Sequence, residues 1–251
     1  AYLASEGVDV QFSERDFTRP ERRLSEWGYA DGDLMDLVVR EWPKATQGPS
    51  LSVVQTMSMH TPFVVPEQDI YRHRVEQRLD VLGIPPERRD AYLRQRDIYA
   101  SILHTDDALR RFFERLQTLP AAANTVVLIT GDHRLPEIPM DTRLERYHVP
   151  LIIASPLLRQ PARFRAVSSH FDIAPSLIAL LSRRYDWPSP ATVSWMGTGL
   201  DTHATFRHLH RLALKQTKTE LSDYVSGLFY LGQDRLYRLA DGLRQLPGVS
   251  R

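Results

Sequence analysis

Two side chains that commonly bind metal ions stand next to each other at the end of an apolar run. Asp132 and His133 follow residues 125–130 (TVVLIT), which the pattern predicts to be a buried strand. A carboxylate oxygen beside an imidazole nitrogen suits a divalent ion of the zinc or manganese class. In the alternative interpretation, Asp132 caps the next segment and His133 is an ordinary loop residue. Arg134 follows, and it either contacts a phosphate oxygen or forms a surface ion pair.

A further histidine, His60, follows a second predicted strand. Residues 51–57 (LSVVQTM) are short, rich in β-branched side chains and preceded by Gly48 and Pro49, a pattern that predicts a buried strand. His60 then lies in a loop that Pro62 constrains. Without further information, the alternative is a surface or half-buried loop histidine.

His170 stands directly before a predicted helix. Residues 172–181 begin with an acid and carry a proline in the first turn, which is typical of a helix N-terminus. Partial positive charge accumulates there, so a phosphate oxygen could bind beside His170. The alternative is that Ser169 or Asp172 caps the helix and that His170 has no role.

Other polar groups are weaker candidates. We expect His148 to pack or hydrogen-bond at the start of a strand, and His203, His208 and His210 to form polar faces of a helix or loop, because nothing downstream completes a ligand set. Residues 18–22 (TRPER) resemble the Cys/Ser-x-Pro-x-Arg signature of sulfatases, but the first residue is the wrong nucleophile. We interpret them as a solvated charged turn.

The remaining elements place these candidates on an α/β domain. Apolar residues at spacings of three and four predict a long amphipathic helix over 90–116, and Asp31 is expected to cap a helix that follows it. A third short strand is predicted at 151–154, a loop at 185–202, and mostly helix over 206–246 with a strand at 227–231. Strands and helices in this order predict a layered domain whose ligand site lies at the carboxyl ends of the strands.

Composition excludes several functional classes. The 251 residues include no cysteine, so this segment holds no disulfide, thiolate zinc site or iron–sulfur cluster. Thirty-two basic residues against 31 acidic ones give a formal charge of +1, which provides no general attraction to nucleic acid. No apolar run reaches the roughly 20 residues that span a bilayer. The first residues show no signal peptide and no initiator methionine, and we expect a fragment of a longer protein.

Five segments together resemble a known family. In chain order they are WGYADGDLMD, VVQTMSMHTPF, TVVLITGDHR, RYHVPLIIASPLL and SSHFDIAPSLIALL. They resemble the C-terminal part of the lipoteichoic acid synthase-like phosphoglycerol transferases, which belong to the alkaline phosphatase and sulfatase superfamily. The resemblance extends from about Trp27 to Leu181, with a weaker echo in WMGTGLDT.

This resemblance implies a role for each matching position. Asp132 and His133 match a Gly-Asp-His motif that binds one catalytic Mn²⁺ or Zn²⁺, with a second ion as an option. His60 matches a histidine that holds the substrate phosphate or its glycerol. His170 matches a histidine found near the phosphate or a second metal in phosphoethanolamine transferases and sulfatases, although lipoteichoic acid synthases lack it. Arg134 is the remaining candidate for binding substrate.

The resemblance also implies an α/β/α sandwich that is incomplete at its N-terminus. Residues 1–251 would be the C-terminal portion of one sulfatase-like catalytic domain, with a core at about 27–182 and an extension at about 183–251. The threonine nucleophile, a further acidic ligand and a substrate loop would precede this chain, so the fragment alone is expected to be inactive. An N-terminal region absent here would anchor the protein, with its catalytic domain on the outer side of the bacterial cytoplasmic membrane.

The expected reaction moves a phosphoglycerol or phosphoethanolamine group from a phospholipid head group to an envelope glycan or lipid. A metal-activated threonine would displace the lipid, and an acceptor hydroxyl would resolve the phospho-enzyme. One alternative is a phosphodiesterase or sulfatase of the same superfamily, in which water is the acceptor. Another is a catalytically dead remnant that binds a ligand or partner.

Overall fold

The chain forms two compact units, each with its own packing. The computed structural model describes residues 5–45, 48–216, 218–219 and 221–246. Unit 1 comprises Ala1–Val126 and Ser155–Leu157, and unit 2 comprises Val127–Ala154 and Leu158–Arg251. None of the described helices is both long enough and apolar enough to cross a membrane.

Among its described residues, unit 1 contains four long α-helical segments. They are α1 (Asp31–Ala45), α2 (Gln68–Val81), α3 (Pro86–Leu93) and α4 (Arg96–Leu116). The predicted helix at Asp31 is confirmed, but the predicted capping role of Asp31 is wrong, because its carboxylate binds groups outside this helix. The predicted long helix over 90–116 is divided, because Gln95 leaves the helical conformation between α3 and α4. The sequence analysis did not find α2, which buries Tyr71, Val75 and Leu79 at a spacing of four but is otherwise mostly charged.

Helix α4 is the centre of unit 1, since it packs against both α1 and α2. Val65, Tyr71, Val75 and Ala100 form a buried apolar cluster along this contact. Ala100 and Ala108 are completely buried in α4, and their small side chains allow a close approach of the helices.

Asp31 connects three segments of unit 1. Its side chain is fully buried, and its carboxylate accepts the N–H groups of Met57 (2.7 Å) and Ser58 (3.0 Å) and the hydroxyl of Thr105 (2.6 Å). The backbone N–H of Asp31 in turn donates to Ser58 Oγ at 2.9 Å. These bonds fix the start of the loop that carries His60.

The predicted strand at 51–57 is wrong. These residues pair with no other strand in the described part of the chain, and the side chains of Leu51 and Val53 are more than four-fifths exposed. Their β-branched composition favours an extended backbone, but a strand also needs a partner for its N–H and C=O groups. Only the end of the segment is held, by Asp31.

Unit 2 contains the other two predicted strands, and both are confirmed. β1 (Val127–Thr130) pairs with β2 (Leu151–Ala154) in antiparallel register, with Val127 opposite Ala154 and Thr130 opposite Leu151. The strand predicted to be buried, β1, is only partly so: its first three residues are half-buried and Thr130 is exposed in unit 2. The predicted helix after Asp172 is α5 (Ile173–Tyr185), and the predicted loop that follows it contains no helix or strand among residues 186–202.

The C-terminal part is a β-sheet, so the prediction of mostly helix over 206–246 is wrong. Five antiparallel strands follow one another as β3 (Arg211–Gln216), β4 (Leu221–Ser226), β5 (Phe229–Gly232), β6 (Arg235–Ala240) and β7 (Arg244–Leu246). Residues 217 and 220 lie outside the described residues. The strand predicted at 227–231 is confirmed as β5, which alternates exposed and buried side chains and leads into a two-residue hairpin turn at Gln233 and Asp234, both with positive φ.

A second buried aspartate anchors this sheet to the segment after β1. Asp223 is fully buried, and it accepts the hydroxyl of Tyr230 at 2.8 Å and the guanidinium of Arg143 at 2.7 Å. Burial, with the carboxylate beside it, raises the pKa of Tyr230. Arg143 opens a short 3-10 helix, Arg143–Tyr147, and Leu144 of that helix packs into the apolar core of the sheet.

The interpretation of His208 as part of a polar face is wrong. His208 is 5% exposed, and its ring contacts that of His210 edge to face at 5.6 Å between centroids. Burial lowers the pKa of His208 to about 4, and the neighbouring His210 adds to this effect. His208 is therefore a neutral side chain of the interior, whereas His203 is exposed as expected.

We expect Asp31→Ala to destabilise the protein by about 2–4 kcal/mol, because three donors lose their buried acceptor. Asp31→Asn keeps an acceptor of the same shape and should cost less. Urea unfolding measures both, with Asp69→Ala as the control, since the Asp69 side chain is 93% exposed. Equal stabilities of Asp31→Ala and Asp69→Ala would contradict the structural role of Asp31.

His208 should make the free energy of unfolding depend on pH. The folded state favours neutral His208, whereas the unfolded chain binds a proton near the ordinary value of 6.5. Its contribution is complete above about pH 6.5 and falls by on the order of 3 kcal/mol as the pH drops towards about 4. His208→Gln should lack this component in urea unfolding at about pH 7 and about pH 4.5. The control His73→Gln, at an exposed histidine, should lose as much stability between these two pH values as the wild type. If His208→Gln also loses as much stability as the wild type, the assignment to His208 is wrong.

Candidate metal and phosphate site

The candidate metal ligands lie in a tight loop at the end of β1. Gly131 passes so close to Val149 that a Cβ at position 131 would lie 3.3 Å from Val149 Cγ1. The chain then turns, and it leaves the side chains of Asp132 and His133 85% and 48% exposed. Both side chains are therefore accessible from solvent.

The geometry of this pair fits two ligands of one ion. His133 Nδ1 lies 2.9 Å from the carbonyl oxygen of Arg134, which can only accept, so Nδ1 carries the proton and Nε2 has the free lone pair. Nε2 lies 3.6 Å from Asp132 Oδ2, too far for a direct hydrogen bond. Two ligand atoms on a tetrahedral ion with bonds of about 2.0–2.1 Å are about 3.3–3.4 Å apart.

The described residues supply only part of a coordination sphere. No group of three His, Cys, Asp or Glu side chains suited to a metal occurs in the part of the chain that the structure describes. Asp132 and His133 thus provide two of the ligands that a structural or catalytic ion of this class requires. The predicted metal role of the pair stays a prediction.

Arg134 has a partner within the protein. Its guanidinium forms an ion pair with Glu145 and donates to the carbonyl of Pro139 at 3.4 Å, and its backbone N–H donates to the carbonyl of Arg146 at 3.0 Å. Glu145 belongs to the 3-10 helix whose Arg143 binds Asp223. The loop after His133 is therefore fastened to the C-terminal sheet, and contact of Arg134 with phosphate stays a prediction.

His170 lies beside the end of β1. Its Nε2 is 3.1 Å from Thr130 Oγ1, a hydrogen-bond distance across 40 residues of sequence. The sequence analysis missed Thr130, because its only signal is its position at the end of a strand. This contact brings His170 to the same edge of the sheet as the loop of Asp132, although His170 does not complete a three-ligand group with the pair.

Asp172 organises the segment around His170. It is fully buried, and it accepts the N–H of Ser169 at 2.7 Å and those of Thr198 and Gly199 at 3.0 and 3.3 Å. The capping alternative is correct in part: Ser169 and Asp172 form a capping box at the 3-10 helix His170–Asp172, whereas no side chain caps α5. A Cβ at position 197 would lie 2.0 Å from the carbonyl oxygen of Phe171, so only glycine allows this close approach.

His60 belongs to unit 1 and is exposed. Its Nδ1 donates to the carbonyl of Thr61 at 2.9 Å, which leaves Nε2 with the free lone pair. The ring of Trp27 lies against it, with 4.3 Å between the ring centroids, a contact that the sequence analysis did not foresee. The convergence of His60 with the loop of Asp132 stays a prediction.

Of the other candidates, His210 approaches this segment: its Nε2 lies 3.4 Å from Asp172 Oδ2 and 2.8 Å from the carbonyl oxygen of Val167. His148 is exposed. Residues 18–22 form a charged turn, as we interpreted them, with a 3-10 helix at Pro20–Arg22 and an ion pair of 3.1 Å between Arg22 and Asp33.

Comparison with solved structures shows the fold. A crystal structure described as a protein in the alkaline phosphatase superfamily from Vibrio parahaemolyticus matches with a TM-score of 0.56 and 20% identity. The match covers 95% of this chain and 51% of that one, so the chain spans about half the length of its neighbour. The predicted α/β fold of the alkaline phosphatase and sulfatase type is thereby confirmed.

The family is shown by sequence. No curated protein matches the chain. The family model described as Sulfatase matches residues 4–182, which is more than half of the 251 residues and includes His60, Asp132, His133 and His170. The chain therefore belongs to the sulfatase family.

Proposed function

We propose that the full-length protein is a metal-dependent transferase that moves a phosphoglycerol or phosphoethanolamine group from a lipid donor to an envelope glycan or lipid. Membership of the sulfatase family indicates an enzyme of phosphoryl or sulfuryl transfer or hydrolysis, in a superfamily whose members generally depend on divalent metals. The observation that carries the proposal is the separation of 3.6 Å between Asp132 Oδ2 and His133 Nε2, the ring nitrogen that is not bonded to the Arg134 carbonyl.

A bound Mn²⁺ or Zn²⁺ would supply charge stabilisation to phosphoryl oxygens and lower the pKa of a hydroxyl nucleophile. Asp132 and His133 hold this ion in the proposal, and the Nδ1–H bond to the Arg134 carbonyl keeps the His133 ring in the required tautomer. Loss of the ion should therefore follow from loss of either side chain.

The phosphate-binding groups act by hydrogen bonding. His170 is fixed by Thr130 and by the cap at Ser169, while His60 presents Nε2 from a loop that Asp31 anchors. Each ring can donate to a phosphoryl oxygen when protonated at the free nitrogen. Arg134 can add a charge-assisted bond while it remains near Glu145.

The reaction balances as two displacements. The oxygen of a threonine that lies outside these 251 residues bonds to phosphorus, and the bond between phosphorus and the diacylglycerol oxygen breaks. The proton of the threonine hydroxyl passes to the leaving diacylglycerol oxygen. An acceptor hydroxyl then bonds to phosphorus, its proton passes to the threonine oxygen, and the threonine is released. We place this chemistry outside the cytoplasmic membrane, where an N-terminal region anchors the protein beside its lipid donor.

Asp132→Ala and His133→Ala should each lower the metal content of the full-length protein by more than about tenfold. Elemental analysis after gel filtration with Mn²⁺ or Zn²⁺ measures this, with the exposed Asp141 as the matched control in Asp141→Ala. Wild-type metal content in Asp132→Ala would refute the ligand assignment.

Full-length protein in vesicles that contain phosphatidylglycerol and phosphatidylethanolamine should release diacylglycerol and place the labelled head group on an acceptor. Mass spectrometry of the lipids and the acceptor fraction follows both products. Asp132→Ala should reduce diacylglycerol release more than about tenfold, because without the bound ion the negative charge on the phosphoryl oxygens is no longer stabilised. Head group found only as the free phosphate would instead indicate the hydrolase, and no diacylglycerol would indicate an inactive binding protein.

A further inference from the structure

Unit 2 contains an open groove that the proposed chemistry does not use. It has a volume of about 440 Å³ and is bounded by Ser169, by residues 198–202 and by residues 209–212. We call it the C-terminal groove. A cavity beside His60 in unit 1 has a volume of only about 10 Å³, so the C-terminal groove is far better suited to a ligand.

The backbone of the groove wall is already hydrogen-bonded within the protein. Asp172 accepts the N–H groups of Thr198 and Gly199, Ser176 Oγ accepts that of Leu200 at 2.8 Å, and Ser168 Oγ accepts that of Asp201 at 2.9 Å. The wall is thus fixed without a ligand. Since these four N–H groups are occupied, they are not available to bind an anion, and the side chains are the remaining donors of this part of the wall.

The side chains of the groove carry a positive charge. Arg207 is neutralised by Asp201, which it contacts through two bonds of 2.7 and 2.8 Å. Arg211 is exposed at the start of β3, where its backbone pairs with β4, and its side chain forms no ion pair or hydrogen bond with the described residues. Asp201, the single acid among the lining residues, is bonded to Arg207, and the buried Asp172 behind the wall lies 3.4 Å from the lining His210. Since no lining carboxylate pairs with Arg211, its charge favours an anion.

The remaining lining combines hydroxyl and apolar groups. Ser169, Thr198 and Thr202 contribute hydroxyls, while Met196 and Leu209 leave more than three-fifths of their surface exposed at the groove. This mixture suits a ligand with a carbon skeleton, hydroxyls and one anionic group. A phosphate ester of a small polyol has this composition, whereas a purely apolar ligand would leave Arg211 unpaired.

We propose that the C-terminal groove is a binding subsite for a phosphorylated polyol, with Arg211 bound to the phosphate and the threonine and serine hydroxyls bound to the polyol. The choice of glycerol phosphate as the ligand rests on the proposed function, but the groove itself does not. Ser169 lines the groove and precedes His170, so one end of the groove adjoins the candidate site. A ligand held there is positioned as the acceptor chain of the transfer, away from the reacting phosphorus.

Titration of the isotope-labelled chain with sn-glycerol 3-phosphate tests this subsite by NMR. A chelator is present, so no ion at Asp132 contributes. The amide signals of residues 198–202 and 210–212 should shift, and Arg211→Gln should weaken the affinity by about tenfold or more. Arg235→Gln removes an exposed arginine on β6 outside the groove and should leave the affinity unchanged.

Titrations with glycerol and with inorganic phosphate show which part of the ligand is recognised. Glycerol should not bind, and inorganic phosphate should bind more weakly than the ester; equal affinity for phosphate would overturn the polyol assignment. Unchanged affinity in Arg211→Gln, or shifts confined to residues 132–134, would overturn the groove. Asp132→Ala should titrate as the wild type, so a failed metal assignment leaves this result intact.

Discussion

A carboxylate that is removed from water is unstable unless several donors point at it. This constraint applies in full to Asp31, Asp172 and Asp223, because all three side chains are completely buried. Each satisfies it by collecting donors from segments distant in sequence. These three aspartates therefore act as internal anchors for loops that have no regular secondary structure of their own.

The anchored loops are those that carry the candidate chemistry. Asp31 binds the N–H groups of residues 57 and 58, and His60 follows two positions later. Asp172 fixes the turn of His170 and the segment after Gly197. Asp223 acts indirectly, because it binds Arg143. The short helix that contains Arg143 also contains Glu145, which forms the ion pair with Arg134. The exposed side chains thus depend on buried ones for their positions.

Sequence reasoning succeeded where the signal was local. Short apolar runs bounded by glycine or proline identified β1 and β2, and periodic apolar residues identified most of α4. The run at 51–57 has the same local signal but lacks a partner, so it forms no strand. In the C-terminal sheet only the strand at 227–231, now β5, was predicted. The other four strands are short and carry charged side chains, so their alternation is visible only once the Gln233–Asp234 turn is recognised.

The sequence identified the candidate residues of the site by their types, but it did not predict which side chains contact one another. The Gly-Asp-His run pointed to Asp132 and His133, yet nothing in it reveals that Thr130 meets His170 across 40 residues or that Trp27 lies against His60. The weak WMGTGLDT echo has a structural explanation, since its glycine and following N–H groups pack on the turn at Asp172. Long-range hydrogen bonds of this kind are set by packing, which a single sequence does not encode in its spacing.

The central claim is that Asp132 and His133 share one divalent ion. Anomalous diffraction from crystals of the full-length protein grown with Mn²⁺ examines this claim most directly. The account predicts a single strong peak about 2.0–2.3 Å from both Asp132 Oδ2 and His133 Nε2. A peak bound to other side chains, with these two atoms left to solvent, would contradict it.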